Sequence, residues 1–232
     1  MPIQKYAAMC TWFDESCGQL IELLEQKGLR SNTMIVYVCD NGWTSTVKGV
    51  NAPADWKSPY APGTKRSPYD GGVRTPMMFN WPGKIKPQER SERISSLDIY
   101  PTILSAAQAP MAQDLPGLDL LPYLESGQEI PRKTLYGEAF GHDIQEIDNP
   151  EASLLNRWCI DGDWKLIVSY EDELQGGSPS VRRAHSKPPQ LFNLKNDPEE
   201  QNNMAASRPD RVQQLSGKLE NWYPVNKNVI DR

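Results

Sequence analysis

Residues 33–42 read TMIVYVCDNG. Residues 33–39 form a continuous apolar run with β-branched members. Such a run suits a strand covered on both faces, as in a parallel sheet. Upstream, Tyr6, Met9, Cys10, Phe13, Cys17, Leu20, Ile21 and Leu24 recur at steps of three and four, the apolar stripe of a helix. Gly28 is placed to end that helix. Helix, short loop and buried strand make half of a βαβ unit, so the fold class is α/β. The run ends in Asp40-Asn41-Gly42, and ligands of open α/β sheets bind beyond the carboxyl ends of the strands. An Asp carboxylate and an Asn amide oxygen are hard donors suited to Ca²⁺ or Mg²⁺. The competing reading is ordinary turn chemistry, which uses the same residue types.

Beyond this turn lies a long polar loop, residues 41–69, rich in Gly and Pro. Loops of this length inside a domain are commonly functional. It closes on Lys65 and then Tyr69-Asp70-Gly71-Gly72-Val73-Arg74-Thr75-Pro76, where two cations flank a Gly-Gly corner. Lys65 offers a point charge for an anionic ester oxygen. Arg74 offers a fork for a carboxylate or an anion, and Asp70 is its nearby candidate partner. Residues 75–81 read as a short strand with a turn after it. Ser95 or Asp98 can cap a helix running through Ala107, with Pro101 harmless in its first turn. A second short helix is expected near 118–124.

The pattern changes after about residue 130. Residues 134–140, 157–160, 164–170 and 190–194 are short strand candidates, separated by turn signals such as Asp161-Gly162. They suggest a small antiparallel sheet, and residues 208–222 read as a closing helix. The division expected is therefore 1–130, part of an α/β core, and 131–232, a small α+β subdomain.

Composition narrows the function classes. The 232 residues carry 25 Lys and Arg against 30 Asp and Glu, a net charge of −5, which argues against a nucleic-acid surface. No stretch approaches the roughly 18 apolar residues that span a bilayer, so no membrane partner is expected. The opening MPIQKYAAMC lacks the basic and apolar regions of a signal peptide. Cys10, Cys17, Cys39 and Cys159 fit no CxxC pattern and read as small buried hydrophobes.

The order strand, Asp40-Asn41-Gly42, long loop, Lys65, Tyr69 to Pro76, Trp81-Pro82-Gly83 and Asp98-Ile99-Tyr100-Pro101-Thr102 resembles the sulfatases of the alkaline-phosphatase-like superfamily. The opening helix joins the resemblance through Tyr6, Asp14, Gly18 and Leu20. So does the tail, through Trp164-Lys165-Leu166-Ile167, Leu191-Phe192-Asn193-Leu194 and Asp197-Pro198-Glu199. It therefore covers nearly the whole chain. Its implications are expectations carried over position by position. Asp40 and Asn41 match two metal ligands, usually for Ca²⁺. Lys65 matches a lysine that contacts the sulfate group, as a catalytic and substrate-binding residue. Asp70, where the family usually has Glu, and Arg74 match positions that hold the corner. His142 falls in a region that often contacts substrate, and a solvated loop histidine is its plainer reading. His185, among Arg182, Arg183 and Lys187, reads first as a solvated hairpin tip. The implied partner is a sulfated small molecule or glycan, and the implied location periplasmic or secreted.

The resemblance also shows what to look for in vain. The family's nucleophile is Cys or Ser in Cys/Ser-x-Pro/Ala-x-Arg, oxidised to formylglycine, and none is expected here. None of the four cysteines has Pro or Ala two residues on and Arg four on, and no match is expected among the serines. There is also no Asp-Asp pair. The expectation is thus a C-terminal portion whose nucleophile is supplied by a missing N-terminal segment, with an incomplete metal site. Alone it is expected to be inactive, and a sheet edge left bare favours a homo-oligomer. The rivals are a phosphonate or phosphate ester hydrolase of the same superfamily, and a non-catalytic binding module.

Overall fold

The computed structural model describes residues 3–42, 65–141, 146–170 and 188–228. Its contacts divide the chain into two units.

In the first unit the predicted stripe becomes α1, Ile3–Gln26. Gly28 follows it at φ +68, in the left-handed region that glycine adopts without a Cβ clash. The apolar run becomes β1, Ile35–Val38, and residues 77–80 become β2, Met77–Asn80. The two pair antiparallel, Ile35 opposite Asn80 and Val38 opposite Met77. The expected parallel neighbour is not among the described residues, and the expected burial of β1 is not observed: its side chains are half-buried and Val38 is exposed. Much of the α1 stripe is exposed as well, Met9 at 57% and Phe13 at 56%. The packed part of this unit lies further on. Leu120, Leu124 and Ile130 are buried against Phe79, Ile85, Ile94, Leu118 and Tyr123. Ser95 and Asp98 form a reciprocal capping box ahead of α3, Ile99–Ala106. Asp98 does more than cap. Fully buried, it also accepts from the Leu118 amide at 2.8 Å and pairs with the Arg132 guanidinium, so it ties α3 to the segment before α4, Leu121–Ser126.

The second unit holds the antiparallel sheet, in the order β3, β4, β5, β6. Its strands are Thr134–Phe140, Leu154–Asp161, Trp164–Ser169 and Gln190–Asn193. All four lie where the turn signals place them. The side-chain period of two sorts each strand between two faces. One face carries Cys159, Leu166, Val168 and Leu191, and packs on Leu215 and Leu219 of α5, Pro209–Trp222. The other carries Trp158, Ile160, Ile167 and Phe192, and packs on Tyr69 and Val73. Being covered on both sides, β4 and β5 are buried almost end to end. Arg157, fully buried, donates to the carbonyls of Leu219 and Tyr223 and so fastens α5 to the sheet. The reading of the cysteines holds for Cys159, which is buried. It fails for Cys10, which is exposed on α1, and Cys17 and Cys39 are only half-buried.

Candidate active site

The site is built around a corner. Tyr69 is fully buried, its ring edge-on to Phe192 at 6.1 Å and its hydroxyl donating to Gln190 Oε1 at 2.7 Å. The next four residues, Asp70–Val73, form a single helical turn, α2. Gly71 and Gly72 are buried in it. The Gly42 amide donates to the Gly72 carbonyl at 2.9 Å. A Cβ on Gly42 would stand 2.4 Å from the Gly71 oxygen, so only glycine lets the two segments approach this closely. The Asp40-Asn41-Gly42 turn is thereby hung on the Gly-Gly corner, which brings together two motifs about thirty residues apart in sequence.

Asp40 is exposed and Asn41 half-buried, on the bend that follows β1. Lys65 is exposed, four residues ahead of Tyr69 on the segment that enters the corner. His142 and His185 lie outside the described residues. The donor types of Asp40 and Asn41 fit a hard divalent cation, but two side chains fall short of the six to eight oxygens that Ca²⁺ takes. Among the described residues no group of three or more His, Cys, Asp or Glu side chains is placed to hold a metal.

A buried ion cluster anchors the corner. Lys165 Nζ lies 2.9 Å from Asp70 Oδ1 and 2.8 Å from Glu200 Oε1. The Asp70 amide also donates to Glu200 Oε2 at 2.6 Å. Burial pushes the Glu200 carboxyl above its ordinary range, and the Lys165 ammonium pulls it part of the way back. Arg74, by contrast, is 71% exposed and stands 3.8 Å from Asp70. Asp70 is therefore the corner-holding residue expected, but its close partner is Lys165 rather than Arg74. Sequence reasoning missed Lys165 and Glu200. The available signal was a lysine inside the apolar run of residues 164–170.

One expectation about the nucleophile needs correction. Ser207-Arg208-Pro209-Asp210-Arg211 does have the Ser-x-Pro-x-Arg spacing. Its structure explains that spacing locally. Ser207 ends a 3₁₀ turn with its hydroxyl donating to the Met204 carbonyl at 3.0 Å, and Pro209 opens α5, where its missing N–H does no harm. Arg211 donates to Gln214 and lies over the Trp164 ring.

The family profile "N-sulphoglucosamine sulphohydrolase, C-terminal" matches residues 63–223, and the profile "Sulfatase" matches residues 2–109. The chain belongs to the sulfatase family. Arylsulfatase K of Gallus gallus is 31% identical over 229 residues, covering 97% of this chain and 38% of that protein. The N-acetylgalactosamine-6-O-sulfatase of Bacteroides thetaiotaomicron is 25% identical over 215 residues, covering 89% of this chain and 39% of that protein. A solved protein in complex with its substrate D-glucosamine-2-N,6-O-disulfate superposes with a TM-score of 0.66 at 27% identity, over 92% of this chain and 39% of that one. The phosphonate monoester hydrolase of Agrobacterium radiobacter superposes with a TM-score of 0.63 at 19% identity, over 94% and 43%. The fold is thus the alkaline-phosphatase-like fold of the sulfatases, and the phosphonate monoester hydrolase shares it. This sulfatase-family chain spans about 40% or less of the length of these curated relatives. Among its described residues no helix is long and apolar enough to cross a membrane.

Proposed function

We propose that the chain supplies one edge of a sulfate-ester hydrolase site, acting on a sulfated sugar. The observation that carries the reading is the Gly42–Gly72 hydrogen bond, which draws the Asp40-Asn41 donors to the corner that Lys65 leads into. Asp40 and Asn41 would hold a divalent cation, Ca²⁺ or Mg²⁺, through their side-chain oxygens. Such a cation supplies charge stabilisation on a transferring group. Lys65 would place its ammonium against a sulfate oxygen, a point charge on an exposed side chain free to follow the ligand. His142 would contact the substrate from the segment after β3. The nucleophile, a formylglycine, would come from a segment outside these residues. Support for a sulfated glycan comes from the relatives, whose names specify sulfated sugars.

Coexpression with a sulfatase segment that carries Cys-x-Pro-x-Arg tests the reading. The assembled protein should hydrolyse an aryl sulfate. Asp40→Asn and Lys65→Met should each lower kcat/KM, by about 10²-fold or more, and Ser207→Ala should leave it unchanged. Faster turnover of an aryl phosphonate monoester would transfer the chain to that rival chemistry. Turnover by this chain unaided would contradict an external nucleophile.

A further inference from the structure

We infer that Lys165 is the positioning residue of the candidate cation edge, acting through Asp70 and Glu200 on the Asp40-Asn41 turn. The inference rests on the proposed role of that turn. Alternation along β5 sends Lys165 to the same face as Ile167, the face on which Tyr69 and Val73 pack. A lysine side chain on that face is completely enclosed, so its ammonium has to be met by carboxylate there.

Two carboxylates meet it, and they come from different segments. Asp70 opens the α2 turn. Glu200 arrives from the loop after β6, aimed inward by Asp197: the Asp197 carbonyl accepts from the Glu200 amide at 3.1 Å, and its carboxylate accepts from the amides of Gln201 and Asn202. Glu200 takes φ +52 to do so, a left-handed conformation that a non-glycine residue adopts only when its surroundings impose it. Glu200 then receives the Asp70 amide as well as the ammonium, so both the backbone and the side chain of Asp70 are fixed.

The consequence reaches the cation edge through two residues. Asp70 fixed at the start of the turn fixes Gly72, whose carbonyl receives Gly42. A Cβ on Gly42 would stand 2.5 Å from the Gly72 carbonyl carbon, so the Gly71 and Gly72 backbones lie close beside this residue. The chain of contacts therefore runs from β5 through Lys165, Asp70 and Gly72 to Gly42, one residue from Asn41. A buried ion cluster is a poor source of net stability but a good device for fixing a register. Here it sets the corner at a fixed place on the sheet.

The decisive measurement is amide hydrogen exchange, followed by NMR on the full 232-residue chain. In Lys165→Met the Gly42 amide should exchange on the order of tenfold faster or more, while amides of the β4–β5 ladder stay within about twofold of wild type. Lys165→Arg, which can still reach both carboxylates, should recover part of the protection. Asp70→Asn and Glu200→Gln, which leave the lysine in place, should give the same local pattern and serve if Lys165→Met does not fold. Unchanged Gly42 protection in folded variants overturns the inference. So does loss of Gly42 and β4–β5 protection together, or failure of every variant to fold, because the cluster would then only hold the sheet. Calorimetric titration with Ca²⁺ separates the two readings. Absence of binding by wild type overturns the cation role of Asp40 and Asn41, and the exchange result still decides what Lys165 positions.

Discussion

Cys159 and Cys10 carry the same thiol into opposite surroundings. Cys159 is fully buried between the sheet and α5, and burial pushes its thiol up to about 12. Cys10 is exposed on α1. The thiolate is the reactive form, so iodoacetamide should label Cys10 and spare Cys159 in the folded chain, as read by peptide mass spectrometry. Equal labelling would place Cys159 outside the core. Glu92 shows the opposite electrostatic case. A hydrogen bond from the Arg90 guanidinium is the first cause that holds its carboxyl down to about 2, against an ordinary value of 4.5. A depressed carboxyl contributes stability that is fully present above its unfolded value and is lost as pH falls through its folded value. The gap in denaturation midpoint between wild type and Glu92→Gln should therefore be constant above about pH 5 and should close as pH falls to about 2. A gap that widens on acidification would contradict the pairing.

Among the elements, the β3–β4 pair offers the sharpest packing test. Gly137 stands directly opposite Trp158, and a Cβ at Gly137 would come within 2.2 Å of the indole ring. Trp158 is buried and has little room to retreat. Gly137→Ala should cost about 1–3 kcal/mol in urea unfolding, as overpacked substitutions do. A neutral or stabilising result would mean that the indole shifts freely. The strands themselves were legible because turn signals bracket each of them, and α5 because Pro209 and its apolar periodicity mark it. The tertiary partners were not. The run of residues 164–170 alternates between two covered faces, so hydropathy shows no period there, and Lys165 stands out only as a charge without a visible partner. Glu200 lies beyond a turn, far from Asp70 in sequence, and no local pattern links the two. β1 was legible as a strand but not in its pairing, since a β-branched run does not specify whether its neighbour is parallel or antiparallel.

For the whole molecule, the motif order carried the family, which the matched profiles show, because collinear short motifs are improbable together even where each is ordinary turn chemistry. It carried the candidate site less far. Asp40, Asn41 and Lys65 were proposed from residue type and from the resemblance, whereas the Lys165–Asp70–Glu200 anchor of the Gly72 corner required the fold. The spacing at Ser207 is the converse lesson, a motif match that the structure assigns to a helix start. The purified chain should show no turnover of an aryl sulfate with Ca²⁺ present, since none of its four cysteines stands in a Cys-x-Pro/Ala-x-Arg motif. Ca²⁺-dependent release of the aryl alcohol would contradict that. The proposed cation edge is the Asp40-Asn41 turn, held on the Gly72 corner, and Lys65 is the proposed anion contact. The most direct measurement is an NMR titration of the ¹⁵N-labelled chain, first with Ca²⁺ and then with inorganic sulfate. Weak, saturable Ca²⁺ shifts are expected at Asp40, Asn41 and Gly42 and should vanish in Asp40→Asn, followed by sulfate shifts at Lys65. Shifts scattered over the acidic surface, with none at Asp40 and Asn41, would contradict it.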